Sequence, residues 1–109
     1  MTVTIEVKAQ SGKTQELHQT LQALLPTMRE EKGCRDCRIS RDVEDKEVFL
    51  LFSDWELKGS FEGYIHSENG RVLLGAIKLL GESARIRMSS DARWKEIRAV
   101  TFKGSEDRR

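Results

Sequence analysis

The stretch Glu47-Val-Phe-Leu-Leu-Phe-Ser-Asp54 constrains this chain more than any other feature. Written as a strand it is apolar on both faces, with Val48, Leu50 and Phe52 pointing one way and Phe49 and Leu51 the other. Such a strand needs cover on both sides. The chain has 109 residues, which means one domain with a modest core and little material to wrap a sheet twice. Helices of the same chain can cover one face. A second subunit is the simplest cover for the other.

The elements around that strand follow from periodicity. Residues 2–9 alternate strictly, Val3, Ile5 and Val7 against Thr4, Glu6 and Lys8, as a half-buried strand does. From Lys13 to about Glu31, Leu17, Leu21, Leu24, Leu25 and Met28 mark one face of an amphipathic helix. Pro26, the only proline, is expected to kink that helix near Gln22 or end it early. Gly33 closes it, and a second strand runs from about Cys34 to Asp42. After Trp55 the spacing Leu57, Phe61, Ile65 and then Leu73, Ile77, Leu80 predicts two short helices jointed around Ser67–Gly70, with Gly81 at the end. Residues 83–89 alternate again. Ser90-Asp91 reads as a helix start, with Trp94, Ile97 and Val100 on a short C-terminal helix and a frayed tail from Lys103.

The order β-α-β-β-α-β is the ferredoxin-like arrangement, an α+β fold with a four-stranded antiparallel sheet and helices on one face. Residues 1–90 form that domain and residues 91–109 the helical extension and tail. The sets Val3/Ile5/Val7, Val48/Leu50/Phe52 and Ala84/Ile86/Met88 are expected to meet the helices. The opposite face then carries Phe49, Leu51, Arg85 and Arg87, and a homodimer is expected through it, with Glu6 pairing Arg85 or Arg87.

Charge and cysteine usage exclude several classes of function. Nineteen Lys and Arg balance 18 Asp and Glu, interleaved along the chain, which is not the basic stripe of a nucleic-acid binder. No apolar run approaches a membrane span and the N-terminus has no leader pattern, so a cytoplasmic protein is expected. Cys34 and Cys37 have redox or zinc spacing. On a regular strand, however, residues three apart face opposite sides and lie too far apart for a disulfide. Without a second Cys pair, and with both histidines distant, one chain supplies no four-ligand zinc site; no metal or cofactor is expected.

In order along the chain come Ser-Gly-Lys before the first helix, Leu-Leu-Pro (24–26) inside it, and Gly-Cys-x-x-Cys (33–37). The run from Asp42-Val-Glu-Asp through the apolar strand to Asp-Trp-Glu (54–56) follows, then Phe-x-x-Tyr-Ile-x-Ser (61–67) and Arg-Val-Leu-Leu-Gly-Ala-Ile-Lys-Leu-Leu (71–80). With these motifs the sequence resembles the antibiotic biosynthesis monooxygenase family of dimeric α/β-barrel proteins over roughly residues 2–89. The resemblance implies the dimeric fold and, among known members, cofactor-independent oxidation of quinols or aromatic polyketides by molecular oxygen. Other members degrade haem or isomerise a sugar phosphate. Trp55 matches the family's tryptophan at the end of strand three. Tyr64 stands where many members have a histidine, Asn69 where quinol oxidisers have a second, and Leu51 where the polyketide oxidases have an asparagine. The first strand lacks the asparagine of the haem-degrading branch.

The candidate catalytic residues are therefore Tyr64 and His66. Tyr64 would donate a hydrogen bond to a substrate oxygen or a bound superoxide-like species. His66 is the candidate general base, imidazole being the side chain that titrates nearest neutral pH. Trp55 could stack on a small flat aromatic molecule, in a pocket between sheet and helices lined with Phe52, Phe61, Ile65, Leu73 and Ile77. Each has a plainer reading: the apolar residues as core, Tyr64 as a core tyrosine with a satisfied hydroxyl, His66 as part of a solvated joint. Three functions remain open from sequence: a cofactor-independent monooxygenase on a quinol or phenol, a non-catalytic ligand-binding or accessory dimer, and an isomerase or haem-degrading enzyme.

Overall fold

The structure is a computed structural model and describes residues 1–97. The chain runs β1 (Thr2–Ala9), α1 (Thr14–Arg29), β2 (Cys34–Arg41), β3 (Val48–Trp55), α2 (Lys58–Ile65), α3 (Glu68–Leu80), β4 (Gly81–Met88) and β5 (Asp91–Glu96). The strands form one antiparallel sheet in the order β2-β3-β1-β4-β5, and the fold is ferredoxin-like α+β. β3, β1 and β4 occupy the interior of the sheet, and β1 and β3, buried at every second residue, are its most regularly patterned strands.

The sheet has five strands rather than four, because the expected C-terminal helix is instead β5 as far as Glu96. The physical reason is the edge that β4 would otherwise leave unpaired. Asp91–Glu96 alternates like a strand and satisfies that edge. Trp94 also gains two guanidinium neighbours from β4, Arg85 at 4.4 Å and Arg87 at 4.5 Å from its ring centre, a contact that a helix would not make. The remainder of the expected helix, and the tail expected to fray, lie outside the described residues.

α1 does not end at Pro26. It continues to Arg29, with Thr27 Oγ1 donating to the Leu24 carbonyl at 2.7 Å and Met28 buried against the sheet. Burial of that last turn outweighs the hydrogen bond that proline removes. Gly33, at φ +87°, then turns the chain into β2 and lies so close to α2 that a Cβ would overlap the side chain of Ser60.

The register of the sheet overturns one assignment of faces. Directly paired residues share a face, and β1 pairs Ile5 with Leu51 and Val7 with Phe49. Phe49 and Leu51 therefore lie under the helices, almost wholly buried, beside Val3, Ile5, Val7 and Ala84. His18 of α1 stacks on the Phe49 ring at 5.7 Å. Val48, Leu50 and Phe52 are on the other, bare face with Thr4, Glu6, Arg85 and Arg87. Phe49 and Leu51 are thus not on the face that carries the arginines. Because β3 is apolar on both sides, its own alternation could not say which side faces in.

Candidate functional site

The interior between the end of β3 and α2 gathers part of the expected site. The spacing i, i+3, i+4 puts Phe61, Tyr64 and Ile65 on one face of α2, and all three are buried. That face lies on Trp55, the last residue of β3. The Tyr64 ring stacks on the indole at 5.5 Å and 29°, while Phe61 meets it edge-on at 5.7 Å and 64°. Leu73 and Ile77 of α3 belong to the same core. Of the eight expected residues, Trp55, Phe61 and Tyr64 are in ring contact, and Ile65, Leu73 and Ile77 are buried in the same core, Ile77 lying beside Gly81 and Ala84 of β4.

Two are not in that core. Phe52 points to the bare face of the sheet, for the register reason above, and so lines no pocket between sheet and helices. His66 follows α2 as its C-terminal cap. It is exposed, and its Nδ1 donates to the Glu62 carbonyl at 2.9 Å. Lying two residues past Tyr64, it falls on a different side of the helix. The imidazole is not brought to the buried phenol.

The polar groups of the interior differ sharply in how they are satisfied. Trp55 Nε1 donates to Ser53 Oγ at 2.8 Å, so the indole N–H is committed within the chain. The Tyr64 hydroxyl has no partner; among the described residues it is the one buried side-chain nitrogen or oxygen so placed. The residue is only 2% exposed. Burial pushes its phenol well above the usual tyrosine range, and the nearby Cys37, Glu31 and Cys34 add to that. Tyr64 is therefore a neutral hydroxyl at any ordinary pH, able to give or accept a hydrogen bond. An unmade hydrogen bond of this kind costs about 1–3 kcal/mol.

Sequence reasoning put Cys34 and Cys37 on opposite faces, and the structure places them on the same one. Between Cys34 and Asp36 the ladder shifts, so Cys34 opposes Trp55 and Cys37 opposes Ser53, both of which face the helices. The extra residue of a β-bulge resets the alternation. Cys37 is fully buried, with its Sγ donating to Met28 Sδ at 3.7 Å, and its thiol is pushed up to about 12 chiefly by burial. Cys34 is half-buried and likewise raised, and both cysteines are free. Neither thiol is a base or nucleophile near neutral pH. Cys37, close to Tyr64, and Ser53, which accepts from the Trp55 indole, were missed. Once Phe49 and Leu51 are known to face inward, β3 alternation finds Ser53, but nothing local signals the bulge.

Among the described residues, no group of three or more His, Cys, Asp or Glu side chains is placed to share a metal ion, and no helix is long and apolar enough to cross a membrane.

The sequence model of the antibiotic biosynthesis monooxygenase family matches residues 1–71. No curated protein matches the chain. Among solved structures, a Pseudomonas aeruginosa protein aligns with a TM-score of 0.73 at 20% identity, covering 89% of this chain and 92% of its own. A Deinococcus radiodurans protein, provisionally described as an antibiotic biosynthesis monooxygenase, has the same score and identity with coverages of 90% and 93%. A third, called an antibiotic biosynthesis monooxygenase, scores 0.72 at 12% identity, covering 89% and 97%. At such identities the likeness is one of fold.

Proposed function

The chain belongs to the antibiotic biosynthesis monooxygenase family, and from that we propose that it oxidises a small quinol or phenolic substrate with molecular oxygen in the interior beneath α2. The observation that carries this reading is the unpartnered Tyr64 hydroxyl, buried in apolar surroundings and stacked on Trp55. Flat aromatic walls with one free polar group suit an aromatic ligand bearing one oxygen that needs a hydrogen bond. Tyr64 supplies that bond as a neutral donor. It holds a phenolate or carbonyl oxygen while the ring passes an electron to oxygen.

The chemistry balances on the substrate alone. A quinol that becomes a hydroxyquinone gives up four electrons. One oxygen atom of O2 enters the ring at a C–H carbon, and the other leaves as water. The protein's contribution is to bind the electron-rich form, hold it against oxygen and keep water away from intermediates. With His66 outside, no group among the described residues of this interior is placed to remove a proton, and binding selects substrate already in its anionic form.

The same absence favours a second reading, a ligand-binding dimer without turnover. In both readings the second subunit sits on the bare face of the sheet. Val48, Leu50 and Phe52 are only half-buried there, and Trp94 with Arg85 and Arg87 extends the patch. This face replaces the Phe49 and Leu51 surface expected from sequence.

Oxygen consumption by the metal-stripped protein with a panel of quinols and anthrones separates the readings. Monooxygenase activity gives uptake above spontaneous autoxidation that Tyr64→Phe reduces by about 10-fold or more, the worth of one hydrogen bond to a charged oxygen. Uptake at the autoxidation rate across the panel, with the same compounds still binding, establishes the ligand-binding dimer instead.

A further inference from the structure

The interior beneath α2 is closed: Trp55 is 0% exposed and Tyr64 2%. Any ligand that reaches the Tyr64 hydroxyl needs part of the wall to move. The two helices of that wall are secured very differently. α3 begins at Ser67, whose Oγ accepts from Gly70 N at 3.1 Å, and it carries Glu68 in its first turn and Lys78 in its last. Both charges suit the helix dipole. α2 begins at Leu57 with no side-chain cap and no acidic residue in its first turn.

α2 is also weakened from within. Of its eight residues, Gly59 and Gly63 are glycine, and a Cβ at either would meet nothing within 4 Å. Both have ordinary negative-φ backbone, so neither space nor conformation requires glycine there. Gly70 is the contrast, since its Cβ would collide with the Tyr64 carbonyl. It butts the start of α3 against the end of α2. Ser67 Oγ fastens that joint by donating to the Tyr64 carbonyl at 2.6 Å. The C-terminal end of α2 is thus anchored. Its N-terminal end is held by the Glu56 N to Gly33 carbonyl bond at 2.8 Å, by the close approach of Ser60 to Gly33 and by the packing of Phe61 on Trp55.

We propose that α2 is a lid over the Trp55–Tyr64 interior, opening locally from its N-terminal end about the Ser67–Gly70 joint, with Phe61 as the plug that an entering aromatic ligand displaces. The lid rests on the site read above. Gly59 and Gly63 set how often it opens, because each makes the helical state of this segment less favourable relative to alanine. Closure over a bound ring restores the helix, so the glycines govern the rates of entry and exit more than affinity.

Amide hydrogen exchange of the free protein in low denaturant is the first arm. Residues 58–65 are expected to exchange through a denaturant-independent opening, well ahead of α1 and β3. The double variant Gly59→Ala/Gly63→Ala should slow that exchange roughly 10- to 30-fold, from the helix propensities of glycine and alanine. Gly75→Ala, an equally uncrowded position in α3, should leave it unchanged. The second arm follows Trp55 fluorescence in a Trp94→Phe background during stopped-flow mixing with anthraquinone-2-sulfonate, a soluble flat aromatic carbonyl. Association and dissociation should slow together in the double variant, with Kd nearly unchanged. Exchange of α2 only through global unfolding, or unaltered association in the double variant, overturns the lid and leaves the site intact. If the probe does not bind at all, the site itself is wrong and the lid has nothing to admit.

Discussion

β3 carries two apolar rows of similar composition that meet opposite fates. Phe49, Leu51, Ser53 and Trp55 are buried under α1 and α2, in contact with His18, Phe61 and Tyr64. Val48, Leu50 and Phe52 lie one residue away in each case and remain half-covered, on the face that also carries Arg85, Arg87 and Trp94 across β1. Residue type does not distinguish the rows. The pairing of β3 with β1 does, and it makes one row core and the other surface available to a partner. The inner row needs only this chain for its burial, whereas further burial of the outer row requires the proposed second subunit and would therefore depend on protein concentration.

Truncating one member of each row tests the distinction where the effect is largest. Phe49→Ala should lower unfolding free energy by about 3–5 kcal/mol at any protein concentration, as deletion of a buried aromatic does. Phe52→Ala should cost about half that or less in dilute protein. Urea unfolding of both variants at two concentrations decides, and equal losses would erase the difference between the faces. Leu50→Asp goes further, placing a charge at the centre of the bare face. It should leave the circular dichroism of the protein native and shift sedimentation from dimer to monomer. An unfolded Leu50→Asp chain would mean that this row is core as well.

Tyr64→Phe sharpens the comparison within the inner row. Removing an unsatisfied buried hydroxyl should leave the free protein as stable as before, or more so by about 1–3 kcal/mol, while weakening ligand binding. A destabilised Tyr64→Phe would show that the hydroxyl is already partnered in solution.

Alkaline stability concerns the same wall. Burial raises the folded-state titration of both Cys37 and Tyr64. The protonated forms therefore favour the folded state. This contribution is complete below the ordinary cysteine value of 9.0 and is lost as pH rises towards about 12 for Cys37, with Tyr64 extending the loss. Cys37→Ala should flatten this decline relative to the parent chain, apart from its constant packing cost; thermal unfolding between pH 8 and 11 reads it. The smallest effect belongs to the bare face, where Arg85 Nε donates to Glu6 Oε1 at 2.7 Å. Glu6→Gln should cost no more than about 1 kcal/mol in monomeric protein and less in high salt.

Much of this was legible from local pattern. The alternation of residues 2–9, the i, i+4 spacing in α1, and the glycine-rich break between α2 and α3 each express a preference that a segment holds by itself. So does the cluster of Phe61, Tyr64 and Ile65 on one helical face. Periodicity identified these elements without any knowledge of their neighbours.

What the sequence could not decide is whatever depends on a partner strand. The inward side of β3 is settled by which residue of β1 it pairs, since a strand apolar on both sides contains no internal preference. Phe52 fell on the wrong side of the expected pocket for that reason. Cys34 and Cys37 share a face because one unpaired residue in β2 shifts the count, and the bulge exists only in relation to β3. Asp91–Glu96 is a strand because the edge of β4 offers hydrogen bonds and two guanidinium groups to it. The orphaned hydroxyl of Tyr64 is likewise invisible in sequence, where a tyrosine carries no record of what surrounds its oxygen. Local periodicity determined which elements form as far as β4. Register and long-range pairing decided which faces meet, and with that where the site lies.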